Sequence, residues 1–174
     1  MFKKDNFEKV IKFTLKWEGG YTIDSGGKTK YGISQKAYPN IDIKNITLEK
    51  AKLIYKKNYW EPLRCDHYDY PLALTIFDMG VNIGIRRTVK FIQLSCNEFL
   101  YEPIKVDGIL GNKTLTAIKY CEKIHPLKFV ILINNYRYKW YCKLVKKSKY
   151  SKYLLGWINR CNNLINKIIK YKIH

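Results

Sequence analysis

The spacing of apolar residues along the chain predicts a mainly helical protein. Near the N-terminus the apolar residues recur at the i, i+3, i+4 and i+8 positions of a half-buried helix, and they are Phe7, Val10, Ile11 and Leu15. Glu18 continues this stripe, and the two glycines that follow it must end the helix. A carboxyl on a buried face loses hydration, which favours its protonated form. The pattern therefore predicts an acid catalyst at Glu18, although a glutamate that merely ends a surface helix fits the same residues.

The residues after this helix predict a small β-hairpin. Tyr, Thr and Ile residues in the stretch 21–34 favour extended strands, and a Gly-Gly pair marks a turn between them. Such a hairpin can fold over the end of the helix, so that Asp24 and Thr29 face the Glu18 carboxyl across a cleft. One of these residues would orient or activate a water molecule, and the other would hold it by its hydroxyl.

Helical patterns dominate the rest of the chain. A Thr N-cap and an early Glu begin the segment 47–60, in which Tyr59 and Trp60 either pack in the core or line a binding site. Pro71 begins a second helix that is apolar nearly all round, which predicts a central buried helix. Three more helices are expected, at about 87–100, 126–147 and 151–171, and an Asn N-cap at position 112 begins another.

Several short motifs give the chain a family resemblance. In chain order they are Glu18-Gly-Gly-Tyr21, Asp24-Ser-Gly-Gly-Lys-Thr29-Lys-Tyr31-Gly-Ile, Tyr59-Trp60, Phe77-Asp78-Met-Gly-Val-Asn82-Ile-Gly and Val106-Asp-Gly-Ile-Leu-Gly111. The ordered set, which spans nearly the whole chain, resembles the glycoside hydrolase family 108 lysozymes. These are N-acetylmuramidases found as phage endolysins and as secretion-associated bacterial muramidases.

The resemblance implies a lysozyme-like helical domain with a small β-hairpin, followed by a C-terminal helical bundle. The expected boundaries are 1–95 for the catalytic domain and 96–174 for a peptidoglycan-binding region packed closely on it. In that region Arg137, Trp157 and Arg160 match residues that recur in the family. The family is expected to cleave the β-1,4 bond between N-acetylmuramic acid and N-acetylglucosamine.

The same resemblance implies roles for individual residues. The family's catalytic acid falls on Glu18, and substrate contacts are implied for the tyrosines Tyr21 and Tyr31. The loop before the Gly-Gly pair is shorter than is usual in the family, so Asp24 matches either of two family aspartates. It either activates water or acts as a nucleophile. A carboxylate separation of roughly 5 Å would predict retention of configuration, and roughly 6.5 to 9.5 Å would predict inversion.

The predicted central helix carries a narrow polar line formed by Thr75, Asp78 and Asn82. Burying an unpartnered Asp is unfavourable, so this line must meet a polar cleft or internal hydrogen-bond partners. In one interpretation Asp78 caps a backbone group or pairs with an arginine such as Arg86. In the other, Asp78 and Asn82 form the floor of the cleft and bind N-acetyl groups of the sugar.

Composition adds a strong positive charge. The chain has 33 Lys and Arg against 14 Asp and Glu, a net charge of +19, which predicts an anionic partner. Peptidoglycan with its anionic wall polymers fits, as do nucleic acid and anionic membranes.

Two alternatives to a lysozyme stay open. One is a lytic transglycosylase, in which the sugar's own 6-hydroxyl attacks. The other is a non-enzymatic nucleic-acid-binding protein, suggested by the charge and 15 Tyr. Because the chain has no recognised nucleic-acid motif, we expect no nucleic-acid partner.

The cysteines and the N-terminus give expectations about compartment and cofactors. Five cysteines without Cys-x-x-Cys spacing predict reduced thiols, and three scattered histidines predict no metal site and no cofactor. The N-terminal residues lack the apolar core of a signal peptide. We therefore expect a monomer that is made in the cytoplasm and acts in the periplasm or cell wall, after release through a holin or a secretion channel.

Overall fold

Seven α-helices form most of the chain in the computed structural model, which describes residues 6–19, 22–24 and 27–173. They are α1 (Asn6–Leu15), α2 (Leu48–Tyr55), α3 (Tyr70–Ile83), α4 (Ile85–Asn97), α5 (Asn112–Ile124), α6 (Pro126–Leu144) and α7 (Leu154–Ile173). The mainly α architecture predicted from the apolar spacing is confirmed. None of the helices within these ranges is long and apolar enough to cross a membrane.

A small antiparallel sheet follows α1. Its strands are β1 (Thr22–Asp24), β2 (Gly27–Lys30) and β3 (Ile33–Ser34), in the order β1-β2-β3. The β1–β2 pair is the predicted hairpin, and β3 adds a second hairpin whose two-residue turn is Tyr31-Gly32. Both turn residues have positive φ, 53° and 74°, which is the backbone of a type I′ turn. This turn matches the twist of the strands, and it places Gly32 against the end of α1.

The central helix α3 forms the middle of the core, as its apolar sequence predicted. Every residue from Tyr70 to Gly80 is buried, and α3 packs against α1, α4, α6 and α7. The Phe77 ring is fully buried and meets the rings of Phe7 and Trp60 edge to face, at centroid distances of 6.0 and 5.6 Å. Burying a side chain of this size stabilises the fold by about 1.5–3 kcal/mol.

The helix predicted over 47–60 is confirmed, with a change of winding at its end. The Thr47 hydroxyl caps α2 by accepting a hydrogen bond from the Lys50 N–H at 3.2 Å. From Lys56 to Trp60 the chain continues as a π-helical turn. Trp60 is buried and donates its indole N–H to Asp66 at 2.8 Å, so it packs in the core rather than lining a site.

The loop between α4 and α5 is fixed by one buried amide. Gln93 donates from Nε2 to Asp107 Oδ1 at 2.9 Å and accepts the Gly108 N–H at 2.8 Å. Gly108 has a φ of 80°, and a Cβ there would approach the Arg86 backbone carbonyl to 2.8 Å, so glycine suits this position. The loop leads into α5, whose N-cap is Gly111 rather than the predicted Asn112.

Candidate active site

Glu18 lies just beyond α1, where the chain turns away from the core. The Trp17 N–H still bonds the Thr14 carbonyl at 2.9 Å, and Gly19 then adopts a φ of 74°, which ends the helical winding. The helix was predicted to reach Glu18, whereas α1 ends at Leu15 and a single turn leads on to Glu18. The Glu18 side chain is 20% exposed, so it is partly dehydrated and still open to a ligand.

A small pocket of about 60 Å³ opens beside the Glu18 carboxyl. Its other lining residues come from the turn, α2, the π-helical turn and α3, and they are Gly32, Ile33, Tyr38, Ile54, Tyr55, Tyr59 and Val81. Tyr59 thus lines the site while its neighbour Trp60 packs in the core. The tyrosines beside the carboxyl offer flat apolar faces and hydrogen-bonding hydroxyls to a sugar, which would contact the rim of the pocket because the pocket itself is smaller than a sugar ring.

Gly32 brings the β2–β3 turn directly onto Glu18. A Cβ placed on Gly32 would lie 2.8 Å from Glu18 Cβ and 3.0 Å from Oε2, and it would collide with the Tyr55 hydroxyl. The Tyr55 hydroxyl donates to the Tyr31 carbonyl at 2.8 Å, which anchors the turn. Burial raises the pKa of Tyr55, and the negative charge of Glu18 adds to this, so Tyr55 keeps its proton as a donor.

Arg160 of α7 joins Glu18 to the core. Its Nη1 donates to Glu18 Oε1 at 2.7 Å, and its Nη2 donates to Asp78 Oδ1 at 2.8 Å. The Arg160 side chain is only 5% exposed, so both contacts are shielded from water. The guanidinium therefore fixes the orientation of the Glu18 carboxyl and engages one of its two oxygens.

Asp78 is the centre of a buried ion cluster. It is fully buried and accepts from Arg137 at 2.9 Å, from Arg160 and from the Thr14 hydroxyl at 3.1 Å. Burial alone would raise the pKa of Asp78, but the charges of Arg160 and Arg137 outweigh burial and hold it below its usual value. Of the two interpretations of Asp78, pairing with arginine describes these contacts, with Arg137 and Arg160 in place of Arg86. A contact of Asp78 with sugar stays a prediction.

The other members of the polar line on α3 are also bonded internally. Asn82 Oδ1 accepts from the Tyr141 hydroxyl, which in turn accepts from Arg137 Nε at 2.7 Å. Thr75 donates to the Pro71 carbonyl at 2.9 Å. Asn82 is half-buried, so its contact with substrate stays a prediction.

The remaining predicted site residues lie in or near the sheet. Thr29 is half-buried on β2, where it pairs with Thr22 and Ser34, and it is not among the residues that line the pocket. Tyr31 is a half-buried turn residue with the Lys30 ammonium 5.5 Å from its ring centroid. Tyr21 and the side chain of Asp24 lie outside the described residues. The roles given to these residues therefore stay predictions.

Several residues that organise the site had no predicted role. These are Arg137 and Arg160, which the family resemblance had matched without a role, together with Tyr38, Tyr55 and Gly32. One signal was present, since positions 121–174 contain only two arginines among eleven lysines. Arginine is preferred to lysine for buried ion pairs, so the two exceptions marked the partners of a buried carboxylate. Within the described residues, no group of three or more His, Cys, Asp or Glu side chains could hold a metal ion.

Trp157 of α7 is half-buried rather than part of the core. Its ring stacks on Tyr141 at a centroid distance of 4.9 Å and on Tyr153 at 5.8 Å. Through Tyr141 this aromatic stack supports the hydrogen bonds of Arg137 and Asn82 described above. Trp157 therefore supports the buried cluster from the outer side of the bundle.

Comparisons with known proteins agree with the resemblance drawn from the motifs. Residues 11–84 match the family model described as Glycosyl hydrolase 108, and residues 87–162 match the one described as Predicted Peptidoglycan domain. A solved structure titled "Structure of Brucella abortus SagA" is similar, with a TM-score of 0.76 and 25% sequence identity over 94% of each chain. No curated protein matches the chain. Residues 11–84 therefore belong to the glycosyl hydrolase 108 family and are followed by a peptidoglycan domain, so the chain is a peptidoglycan hydrolase.

Proposed function

We propose that the protein is an N-acetylmuramidase that hydrolyses the β-1,4 bond between N-acetylmuramic acid and N-acetylglucosamine. The observation that carries this proposal is the position of Glu18, a partly dehydrated carboxyl on a tyrosine-lined pocket in a glycoside hydrolase region. Glu18 acts as the general acid. It protonates the leaving glycosidic oxygen while water attacks the anomeric carbon and positive charge builds on the sugar ring.

Arg160 makes the two carboxyl oxygens of Glu18 different, because it bonds only one of them. Oε1 accepts the Arg160 N–H, while Oε2 lies on the Gly32 side. The proton for the leaving group is therefore carried on Oε2. Three of the four hydrogen bonds that Arg160 makes to carboxylates go to Asp78, so Glu18 receives only one. This single charge-assisted hydrogen bond orients the Glu18 carboxyl and leaves Oε2 outside the ion pair.

Asp24 and Thr29 are the candidates for handling the attacking water. Both belong to the sheet whose second turn contacts Glu18. Asp24 activates the water as a base or forms a covalent intermediate, and the configuration of the first product distinguishes these two roles.

A lytic transglycosylase is the second candidate. It is favoured by one observation, that Glu18 is the only carboxylate among the described residues lining the pocket. That reaction needs a single acid, because the 6-hydroxyl of the sugar replaces water as the nucleophile. Mass spectrometry of the cleavage products separates the two reactions, since an anhydro end is lighter than a hydrolysed end by one water.

The decisive test of the acid is the Glu18→Gln variant on purified peptidoglycan. Glutamine keeps the shape and can still accept from Arg160, so the variant should melt close to the wild type and lose nearly all release of reducing ends. Glu49→Gln is the matched control, because Glu49 is 76% exposed on α2 and pairs only with Lys52 among the described ion pairs. A Glu18→Gln protein that clears cell walls like the wild type would disprove the assignment.

A further inference from the structure

A second, much larger groove runs along the surface between α1 and α7. Its volume is about 1100 Å³. Residues from the first and last helices line it, and Tyr70 at the start of α3 contributes to its floor. The groove is distinct from the small pocket beside Glu18, with which it shares no lining residue.

The rim of this groove is strongly basic. Five exposed lysines line it, and they are Lys9, Lys12, Lys16, Lys167 and Lys170. No carboxylate lies among the described residues that line the groove. Charges of one sign along a concave surface add their fields, so the groove attracts an anionic chain.

The floor of the groove is aromatic, and one side offers amides. Phe13 is 8% exposed, and the rings of Tyr70 and Tyr171 lie 4.7 Å apart. Asn163 and Asn166 of α7 line the same space; Asn163 already donates one amide hydrogen to the Asn159 carbonyl at 2.9 Å, which leaves its other hydrogen and its oxygen for a ligand. These groups suit a ligand that combines carboxylates with peptide bonds and short alkyl groups.

One end of the groove is formed by the residue before the candidate acid, and Glu18 itself is not a lining residue. Trp17 lines it and directly precedes Glu18 in the chain. On α7, Asn163 and Lys167 follow Arg160 at i+3 and i+7, so they share its helix face. From Arg160 to the far end of the groove this face extends about 16 Å at the rise of an α-helix. A polymer bound at Glu18 therefore has a basic path leading away from the cleavage point.

We propose that this groove binds the acidic stem peptides of peptidoglycan while the glycan strand lies across the mouth of the Glu18 pocket. The inference rests on the proposed function, because it assigns the groove to the same substrate. The lysines pair with the free carboxylates of the peptide, and the two asparagines bond its amides. Lysine pairs with peptide carboxylates and with phosphates alike, so the choice between them rests on the two asparagines, whose amides match the peptide bonds of a stem peptide.

The test measures binding to insoluble peptidoglycan from which phosphodiester polymers have been removed. All proteins carry Glu18→Gln so that cleavage does not disturb the equilibrium. The groove variant replaces Lys12, Lys16, Lys167 and Lys170 by Gln. The matched control replaces four exposed lysines that lie outside both the groove and the peptidoglycan domain, and it changes the net charge equally: Lys36, Lys44, Lys50 and Lys57, each to Gln. Thermal melting verifies that both variants are folded.

On peptide-bearing wall, the groove variant should bind about tenfold more weakly than the control, since four exposed ion pairs each contribute modestly. The difference should vanish after an amidase has removed the stem peptides. Equal binding of groove variant and control would overturn the proposal. A tenfold difference that persists on peptide-free glycan, or that is seen only on walls retaining phosphodiester polymers, would also overturn it. Failure of the proposed function is distinguishable, because it would show in the cleavage products of the wild type, whereas this test measures only binding by proteins that carry Glu18→Gln.

Discussion

Asp78 offers the sharpest test of how the two halves of the chain are held together. Replacing it with Asn keeps the size of the side chain and removes its charge. The buried guanidiniums of Arg137 and Arg160 then face a neutral amide, whose NH2 group cannot accept their hydrogen bonds. Arg160 retains Glu18 as a partner, whereas Arg137 loses the anion that balances its charge in the cluster.

The size of the expected loss of stability follows from the burial of Asp78 and Arg137. Asp78 and Arg137 are both 0% exposed, and breaking a buried pair by removing one partner costs about 3–5 kcal/mol. A domain of ordinary stability has about 5–15 kcal/mol, so Asp78→Asn should fold with a much reduced free energy of unfolding. Urea denaturation followed by circular dichroism measures it. Glu98→Gln is the control, since Glu98 is exposed and should change the free energy of unfolding by about 0.5 kcal/mol or less.

The stability difference between the wild type and Asp78→Asn should depend on pH in a direction set by the pKa of Asp78. The pKa of Asp78 is depressed in the folded protein, so its contribution is fully present above the unfolded pKa of about 3.9. It is lost as pH falls through the folded pKa. The stability difference between the wild type and Asp78→Asn should therefore be full at neutral pH and shrink in acid below about pH 4. A difference below about 1 kcal/mol at neutral pH would refute the reasoning, because so small a loss is typical of an exposed pair.

Two further predictions concern the turn and the aromatic contact of the cluster. Gly32→Ala should lower the rate of peptidoglycan cleavage, because the added methyl group meets Glu18 and Tyr55 and the φ of 74° disfavours a Cβ. Gly156→Ala has open space in α7 and should leave that rate unchanged, so equal rates for the two variants would contradict the role of the turn. Tyr141→Phe should lower the free energy of unfolding by about 1–3 kcal/mol, since it removes the hydroxyl shared by Asn82 and Arg137. Urea denaturation checks this against Tyr138→Phe, whose ring is 39% exposed, and a loss no larger than that control would count against the network.

Local pattern predicted the helices well because helix formation depends on near neighbours. The apolar run after Pro71 predicted the buried α3, and the cap at Thr47 began α2 where expected. The π-helical turn from Lys56 to Trp60 was missed, since its residues carry helical spacing and only their packing changes the winding. The Tyr31-Gly32 turn was missed too, although a Gly between two short extended stretches is a recognised signal for such a turn.

The site was only partly predictable, because some of its residues contact partners that are far away along the chain. The stripe and the glycines were enough to place Glu18 close after a helix whose apolar face is buried in the core. The partners of Asp78 lie 59 and 82 residues away, and no local pattern specifies such pairing. Arg86, the nearer arginine, was the natural choice from sequence alone. The direction in which α6 and α7 fold back across α3 decides which arginines reach it.

Arg160 has a consequence for how this enzyme can be divided or rebuilt. The guanidinium that orients Glu18 comes from the last helix, which lies in the peptidoglycan half of the chain. The catalytic half is thus not self-sufficient. A chimera that replaces everything after residue 84 with a foreign wall-anchoring module would remove the arginine that orients Glu18. It would also leave Asp78 buried without either of its arginine partners.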